Sequence, residues 1–316
     1  ILYPWFMPLL FILAGISAKY ALNRRSPREW FKMRTRKLLV PSTVGLFFIG
    51  AAIGRINTMI SPAVDTIESL PFGIKYLIWA LSGTGPLWFI QDLWLFSVVL
   101  LIVRKMDSKG RFMTLCSHAG MTSVILMGLF FWLGHQTLIM EPDPASAEGL
   151  WNLYKPIFYL IPFLMGYFVF SHDRVQDDLG RSWIPLMLSS IVSGVVLTMT
   201  GFGQDNTLPQ YLCSPLNNIY GWLMCLAMMG WFKACFDRTG RIAGYMTRSS
   251  YGIYIVHYLI IVSLGYLMKT HTQMPPVCMY LILTLAVFVL SPLLYEILRR
   301  IPFIRWCVLG ESRRSR

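Results

Sequence analysis

Charge is scarce in this sequence. Only 14% of its 316 residues are Asp, Glu, Lys or Arg, while 55% are hydrophobic and mean hydropathy is +0.55. A soluble domain carries about a quarter charged residues, so a water-soluble globular fold is excluded. Acidic residues are scarcest, 15 against 28 basic, leaving a net charge of +13. That surplus does not point to nucleic acid. The basic residues lie in short segments between apolar runs, not in the compact patch of a nucleic-acid-binding domain. The six cysteines form no CxxC pair and no metal-ligand spacing, so neither a metal site nor a redox motif is expected. Cys213 and Cys278 are read as two unrelated thiols. There is no GxSxG, no phosphate-binding GxxxxGK[ST], no HExxH and no dinucleotide GxGxxG, which removes the common soluble-enzyme signatures. No internal repeat or low-complexity tract is present, no signal peptide is expected in the opening residues, and no cofactor is indicated.

What the sequence has is long apolar runs. A helix needs roughly 20 mostly apolar residues to cross a bilayer, because each backbone group must find its hydrogen bond internally. About nine segments qualify by that length, at 3–20, 38–58, 85–103, 117–134, 155–170, 183–201, 215–234, 249–268 and 277–298. The fold class is therefore all-α, a polytopic transmembrane protein forming one integral membrane domain over 1–316. The stretch 70–82 is apolar but short and contains Lys75, which suits a re-entrant or interfacial segment. Trp5, Trp79, Trp151, Trp183 and Trp306 read as interfacial anchors.

The basic residues give this array a direction. Alternate connecting segments hold 24 of the 28 Lys and Arg: 19–37, 104–111, 174–181, 233–248 and 299–316. The other side holds Arg55, Lys75, Lys155 and Lys269, with acids at Asp65, Glu68, Glu141, Asp143, Glu148 and Asp205. Such asymmetry marks the rich side as cytoplasmic. Segment 19–37 is then a basic cytoplasmic loop and 299–316 a basic cytoplasmic tail. Nine spans ending in the cytoplasm would put Ile1 outside, so one further helix is expected before it, making ten.

Several residues stand out chemically. In segment 19–37, Arg34, Arg36 and Lys37 precede Leu38 and Pro41. A topology anchor explains them, and so does a site for a phosphorylated donor, since guanidinium forks match phosphate oxygens. Polar side chains inside spans usually face a cavity or each other. The cavity candidates are Trp88, Gln91 and Asp92 in the run 85–103, Tyr251, Tyr254 and His257 in the run 249–268, and Glu296 near the end of the last run. His257 would lie about 12 Å into its span at 1.5 Å per residue. Glu296 stands one turn from Arg299 and Arg300, which suits an ion pair. His172 and Asp177 match an HxxxxD pattern, read here as a solvated charged loop.

Taken in order, these segments resemble the acyltransferase-3 family of bacterial integral membrane acyltransferases, in a branch similar to glucan biosynthesis protein C. Tyr3-Pro4-Trp5-Phe6-Met7-Pro8 through Ser17 looks like the family's second helix. Arg34-x-x-Lys37-Leu38-x-x-Pro41 is similar to its RxxR element, with Lys in the second position and Arg36 nearby. Gly85-Pro86-Leu87-Trp88-Phe89 resembles a GHLWF segment with Pro86 in place of His. Tyr167 to Phe170 resembles GYFVF, Ser250 to His257 resembles SxxIYxxH, and Tyr295 to Pro302 resembles the closing segment. The likeness covers nearly the whole chain.

The resemblance implies ten helices and transfer of an acyl group, acetyl or succinyl in type, from a cytoplasmic acyl-CoA donor to a hydroxyl of a cell-envelope glycan or related acceptor. It implies polysaccharide modification at a bacterial cytoplasmic membrane, with the C-terminus inside and Arg34, Arg36 and Lys37 at the donor phosphates. The family's expected base is a His on the first helix, which precedes Ile1, so no catalytic residue is assigned and this chain is expected to be inactive alone. A transporter or flippase for an envelope molecule would also use intramembrane Asp92 and His257, although inverted repeats are absent. An inactive membrane protein is the third reading.

Overall fold

The computed structural model describes residues 2–62, 64–138, 156–204, 208–237 and 240–311. Trp151, read above as an interfacial anchor, and Lys155, Glu141, Asp143, Glu148 and Asp205, assigned above to the sparsely basic side, lie outside them. No strand occurs among the described residues. The principal helices are α1 (Tyr3–Arg24), α2 (Pro27–Arg34), α3 (Ile49–Met59), α4 (Phe72–Ser82), α5 (Leu87–Met106), α6 (Met121–Leu138) and α7 (Pro156–Phe168). They continue with α8 (Asp173–Arg181), α9 (Trp183–Gly201), α10 (Pro215–Phe236), α11 (Arg241–His271), α12 (Pro276–Arg300) and α13 (Pro302–Cys307).

Among the described residues, seven helices are long and apolar enough to cross a membrane: α1, α5, α6, α9, α10, α11 and α12. The run Pro27–Phe47 with Ile49–Met59, bent by 48°, has the length and apolarity of either a broken eighth span or a re-entrant loop. The 155–170 run appears as α7, whose 13 residues reach about 20 Å, short of a straight crossing. Segment 70–82 forms α4, of 11 residues, a length that fits the re-entrant or interfacial expectation.

Two compact units emerge. Unit 1 comprises 1–30 and 96–238. Here α1 crosses α7 at two glycines. A Cβ on Gly15 would overlap the Phe163 carbonyl oxygen, and one on Gly166 would overlap that of Ile12. Only hydrogen at both positions lets the backbones approach this closely, the usual device where lipid removes the hydrophobic drive between helices. Beside the crossing, fully buried Phe11 stacks on Tyr159 at 4.8 Å and meets Phe96 at 5.3 Å. On α10, Gly221 presses against Pro4, whose carbonyl has no α-helical donor because Pro8 lacks an N–H.

The 174–181 segment, expected as a loop, is the amphipathic helix α8. Val175 and Leu179, one turn apart, are buried. Asp173 lies in its first turn and Arg181 in its last, complementing the helix dipole. His172 is the N-cap residue, while Asp177 pairs with Lys233 at 3.7 Å, so the HxxxxD match forms no shared site.

Unit 2 comprises 31–95 and 239–316. Helices α11 and α12 meet at Gly252, which faces the Tyr295 ring so closely that a Cβ would overlap it. Most of α12 is bare on its outer side, with Leu281, Leu285, Phe288 and Val289 all exposed. An exposed surface this apolar suits a membrane-facing helix. Trp79, expected at an interface, is buried with the Arg55 guanidinium 5.6 Å from its ring centre. All six cysteines are free, and Cys213 and Cys278 belong to different units.

Candidate functional site: a basic cavity in unit 2

The 19–37 segment is helical almost throughout. α1 runs to Arg24, and α2 begins behind a capping box. The Ser26 hydroxyl accepts from the Glu29 amide at 3.3 Å, and the Glu29 carboxylate accepts from the Ser26 amide at 3.2 Å. Pro27 at the first helical position costs no hydrogen bond there. After α2 comes a π turn, Thr35–Leu39. Such turns occur mostly as single insertions at functional sites.

Pro41 explains the next contact. It has no N–H, so the Lys37 carbonyl loses its α-helical donor four residues on. The Tyr251 hydroxyl of α11 donates to that carbonyl instead. The Arg34 guanidinium lies near enough to interact electrostatically with the Tyr251 hydroxyl. The Trp94 indole donates to the Thr35 hydroxyl at 3.1 Å. From the other end of the unit, Gly310 lies against the Arg36 carbonyl and the Lys37 Cα, where a Cβ would come within 2.8 Å of both. Its φ of +60° is left-handed and suits glycine.

These contacts frame a cavity of about 720 Å³, lined by Arg36, Lys37, Tyr245, Arg248, Tyr251, Tyr295, Glu296, Arg299 and Glu311 among others. Its two acids are engaged. Glu296 pairs with Arg299 at 3.3 Å, as its spacing predicts. Glu311 lies 3.8 Å from Arg299 Nε and accepts from the Tyr295 hydroxyl at 3.1 Å. Arg36, Lys37 and Arg248 are exposed and, among the described residues, have no carboxylate within 4.0 Å. The arrangement is a wall of three cations without carboxylate partners among the described residues, a charge pattern that suits a multiply charged anion.

The structure thus brings Arg36, Lys37, Tyr251 and Glu296 to one cavity. Arg34 stands behind that wall and does not line it. The other candidates lie elsewhere in unit 2. The Tyr254 hydroxyl donates to the Pro86 carbonyl at 2.7 Å, and His257 Nδ1 lies 2.5 Å from the Tyr254 carbonyl. Gln91 donates to the Ser42 carbonyl at 3.2 Å, Asp92 is buried, and Trp88 packs edge-on to Phe89. Six residues separate Tyr251 from His257, about 9 Å along α11. Sequence reasoning missed Tyr245, Arg248, Tyr295, Arg299 and Glu311. The first two were findable. Tyr245, Arg248 and Tyr251 recur at three-residue intervals on one helix face, but α11 starts at Arg241, eight residues before the apolar run.

The sequence profile of the family described as "Acyltransferase domain", acyltransferase 3, matches residues 1–296. The chain belongs to this family of membrane acyltransferases. The acyltransferase matches no curated protein and no solved structure significantly. It is an enzyme transferring groups other than amino-acyl groups, and it needs a bilayer, an acyl donor and an acceptor. The profile ends at Glu296, so it includes Arg36, Lys37, Arg248 and Tyr251 but leaves out Arg299 and Glu311. Among the described residues no His, Cys, Asp and Glu cluster is placed to hold a metal ion.

Proposed function

We propose that the basic cavity of unit 2 receives the phosphates of an acyl-CoA donor, and that the enzyme passes the acyl group to a hydroxyl of a cell-envelope glycan or related acceptor. The observation that carries this reading is the wall of Arg36, Lys37 and Arg248, exposed and without carboxylate partners around about 720 Å³. Coenzyme A is a polyphosphate, and both guanidinium and ammonium groups bind phosphate oxygens well. The same residues belong to the basic side of the membrane. Under the positive-inside rule that side, and the C-terminus with it, is cytoplasmic, where acyl-CoA resides; a bacterial cytoplasmic membrane is the setting that the family resemblance implies. Arg34 supports the site from behind, near the Tyr251 hydroxyl.

The chemistry is nucleophilic attack of the acceptor hydroxyl on the thioester carbonyl. The new C–O bond forms, the C–S bond breaks, coenzyme A leaves as its thiol, and a general base takes the hydroxyl proton. His257 and Asp92 are outside the cavity lining and are not assigned as that base. No resident cofactor enters the scheme; acyl-CoA is a substrate.

The test is coenzyme A binding to the full chain in nanodiscs, followed by transfer from radiolabelled acetyl- and succinyl-CoA in membranes. Replacing Arg36, Lys37 and Arg248 together by Ala should weaken coenzyme A about a hundredfold, taking over 1 kcal/mol per charged contact. Wild-type affinity should itself fall with rising salt, and the gap to the triple variant should narrow. Unchanged affinity in the triple variant removes the donor site from this cavity. Transfer from both donors at equal rates would place acyl-group selection elsewhere.

A further inference from the structure

Unit 1 holds a second cavity of different character. It encloses about 880 Å³ and is lined almost wholly by apolar side chains, including Val103, Phe112, Leu115, Met127, Leu164 and Phe168. Two aromatic rings, Phe112 and Phe168, meet edge to face across 5.0 Å in its wall. Cations gather at the end where α5 finishes. Arg104 follows Val103 in the chain. Its Nη1 is shut off from solvent and has no hydrogen-bond partner among the described residues. Lys19 of α1 holds its ammonium 5.5 Å from the centre of the Tyr167 ring, which itself packs on Phe168 at 4.8 Å. Lys19 lies near enough to Arg104 for their charges to repel. His172 adds a third nitrogen, Nε2, which is buried and makes no direct hydrogen bond, although the Phe168 and Met113 carbonyls lie near the ring. Burial first, and then the Lys19 charge, lower the His172 pKa below its ordinary value.

The acids nearby place their hydrogen bonds elsewhere, although the Asp173 charge reaches His172. The two Asp107 oxygens accept the amides of Phe112 and Met113 at 3.0 and 3.1 Å. Asp173 accepts the Tyr20 hydroxyl at 3.4 Å. Two cations and an imidazole nitrogen from three separate segments therefore converge with no carboxylate hydrogen-bonded to any of them among the described residues. A shielded guanidinium nitrogen without an acceptor is costly and calls for a ligand. The ligand must present several acceptor oxygens at once, which a phosphate does. It must also carry an apolar chain, because the adjoining cavity offers almost nothing polar. Only an amphiphile answers both demands.

We propose that unit 1 binds an anionic phospholipid, its phosphate held by Lys19, Arg104 and His172 and an acyl chain lying in the apolar cavity. This site is separate from the basic cavity of unit 2 and shares no residue with it. It selects headgroup charge, since the same chain without net negative charge leaves Arg104 and Lys19 facing each other.

The full chain in nanodiscs tests the proposal through a reversal of sign. In purely zwitterionic phosphatidylcholine, Arg104→Met removes an orphaned charge and should melt several degrees above wild type. In phosphatidylglycerol of the same chain length it should melt below wild type. The same ordering in both lipids overturns the proposal. In detergent, phosphatidylglycerol should bind the wild type at least about tenfold more tightly than phosphatidylcholine, and Lys19→Gln should erase that preference. Inorganic phosphate should bind far more weakly than the lipid; equal affinity would make this a free-phosphate site and sink the lipid assignment. Leu115→Trp, which fills the cavity, should weaken phosphatidylglycerol without changing phosphate binding. If phosphatidylglycerol binds that variant as it does wild type, the chain does not lie there.

Discussion

In unit 1, α1 and α7 meet backbone to backbone at Gly15 and Gly166. In unit 2, α11 and α12 meet through Gly252 and the Tyr295 ring, whose hydroxyl goes on to bind Glu311. One contact is pure shape. The other couples packing to a polar network that lines a cavity. The first should fail abruptly when a single methyl group is added. The second should fail by degrees, and donor binding should fail with it.

Gly166→Leu should break the comparison most sharply. Its side chain would enter the Ile12 carbonyl, and overpacking of this kind costs about 3 kcal/mol or more when the backbone cannot move. The expected result is loss of folded protein, measured as yield of monodisperse chain in detergent. In unit 2, Gly310→Ala places a Cβ 2.8 Å from the Arg36 carbonyl and forces a left-handed residue. It should cost about 2 kcal/mol, with a clear fall in coenzyme A affinity; an unchanged melting temperature and affinity would show that the 302–311 segment does not support the site. Tyr251→Phe removes one hydroxyl and strands the Lys37 carbonyl, at about 1–2 kcal/mol. Pro41→Ala restores an N–H at that position, so the same Tyr251→Phe change should cost less in its background. An additive double-mutant cycle would disprove the coupling. The smallest effect concerns pH. The folded-state pKa of His172 lies below its unfolded value, so the unfolded chain binds the extra proton first. Stability should therefore fall as pH drops through the mid-6 range. His172→Gln should flatten that decline in zwitterionic lipid, and an identical pH profile would show that His172 carries none of it.

The membrane fold was legible because apolar length is a local property. Seven runs reappear as helices long enough to span. The exceptions have physical causes. Hydropathy reads where lipid begins, not where a helix begins, so α11 was shortened by the eight residues from Arg241 to Arg248. That error hid Arg248 from the site. The capping box at Ser26 and Glu29 was on the page as Ser-Pro-Arg-Glu, yet the density of basic residues drew 19–37 as a loop. The cavity was half legible. Arg36, Lys37, Tyr251 and Glu296 stood out by charge or by depth. Glu311 did not, because its role depends on a chain reversal after α12 that brings Gly310 onto Lys37. The glycine crossing in unit 1 was invisible for the same reason: nothing local distinguishes Gly15 from any other glycine in an apolar run.

The bond from Tyr251 to the Lys37 carbonyl joins residues 214 apart in sequence. Unit 2 is built from two stretches of chain with most of unit 1 between them. During synthesis, Pro41 leaves that carbonyl without its helical donor from the moment the segment enters the membrane. The donor arrives only after α10 has been made. Closing contacts this distant comes late, since ordering the intervening chain precedes any return. The basic cavity is therefore among the last parts of the molecule to exist, and a chain released before Tyr251 would hold every cation of segment 19–37 and no site for them to serve.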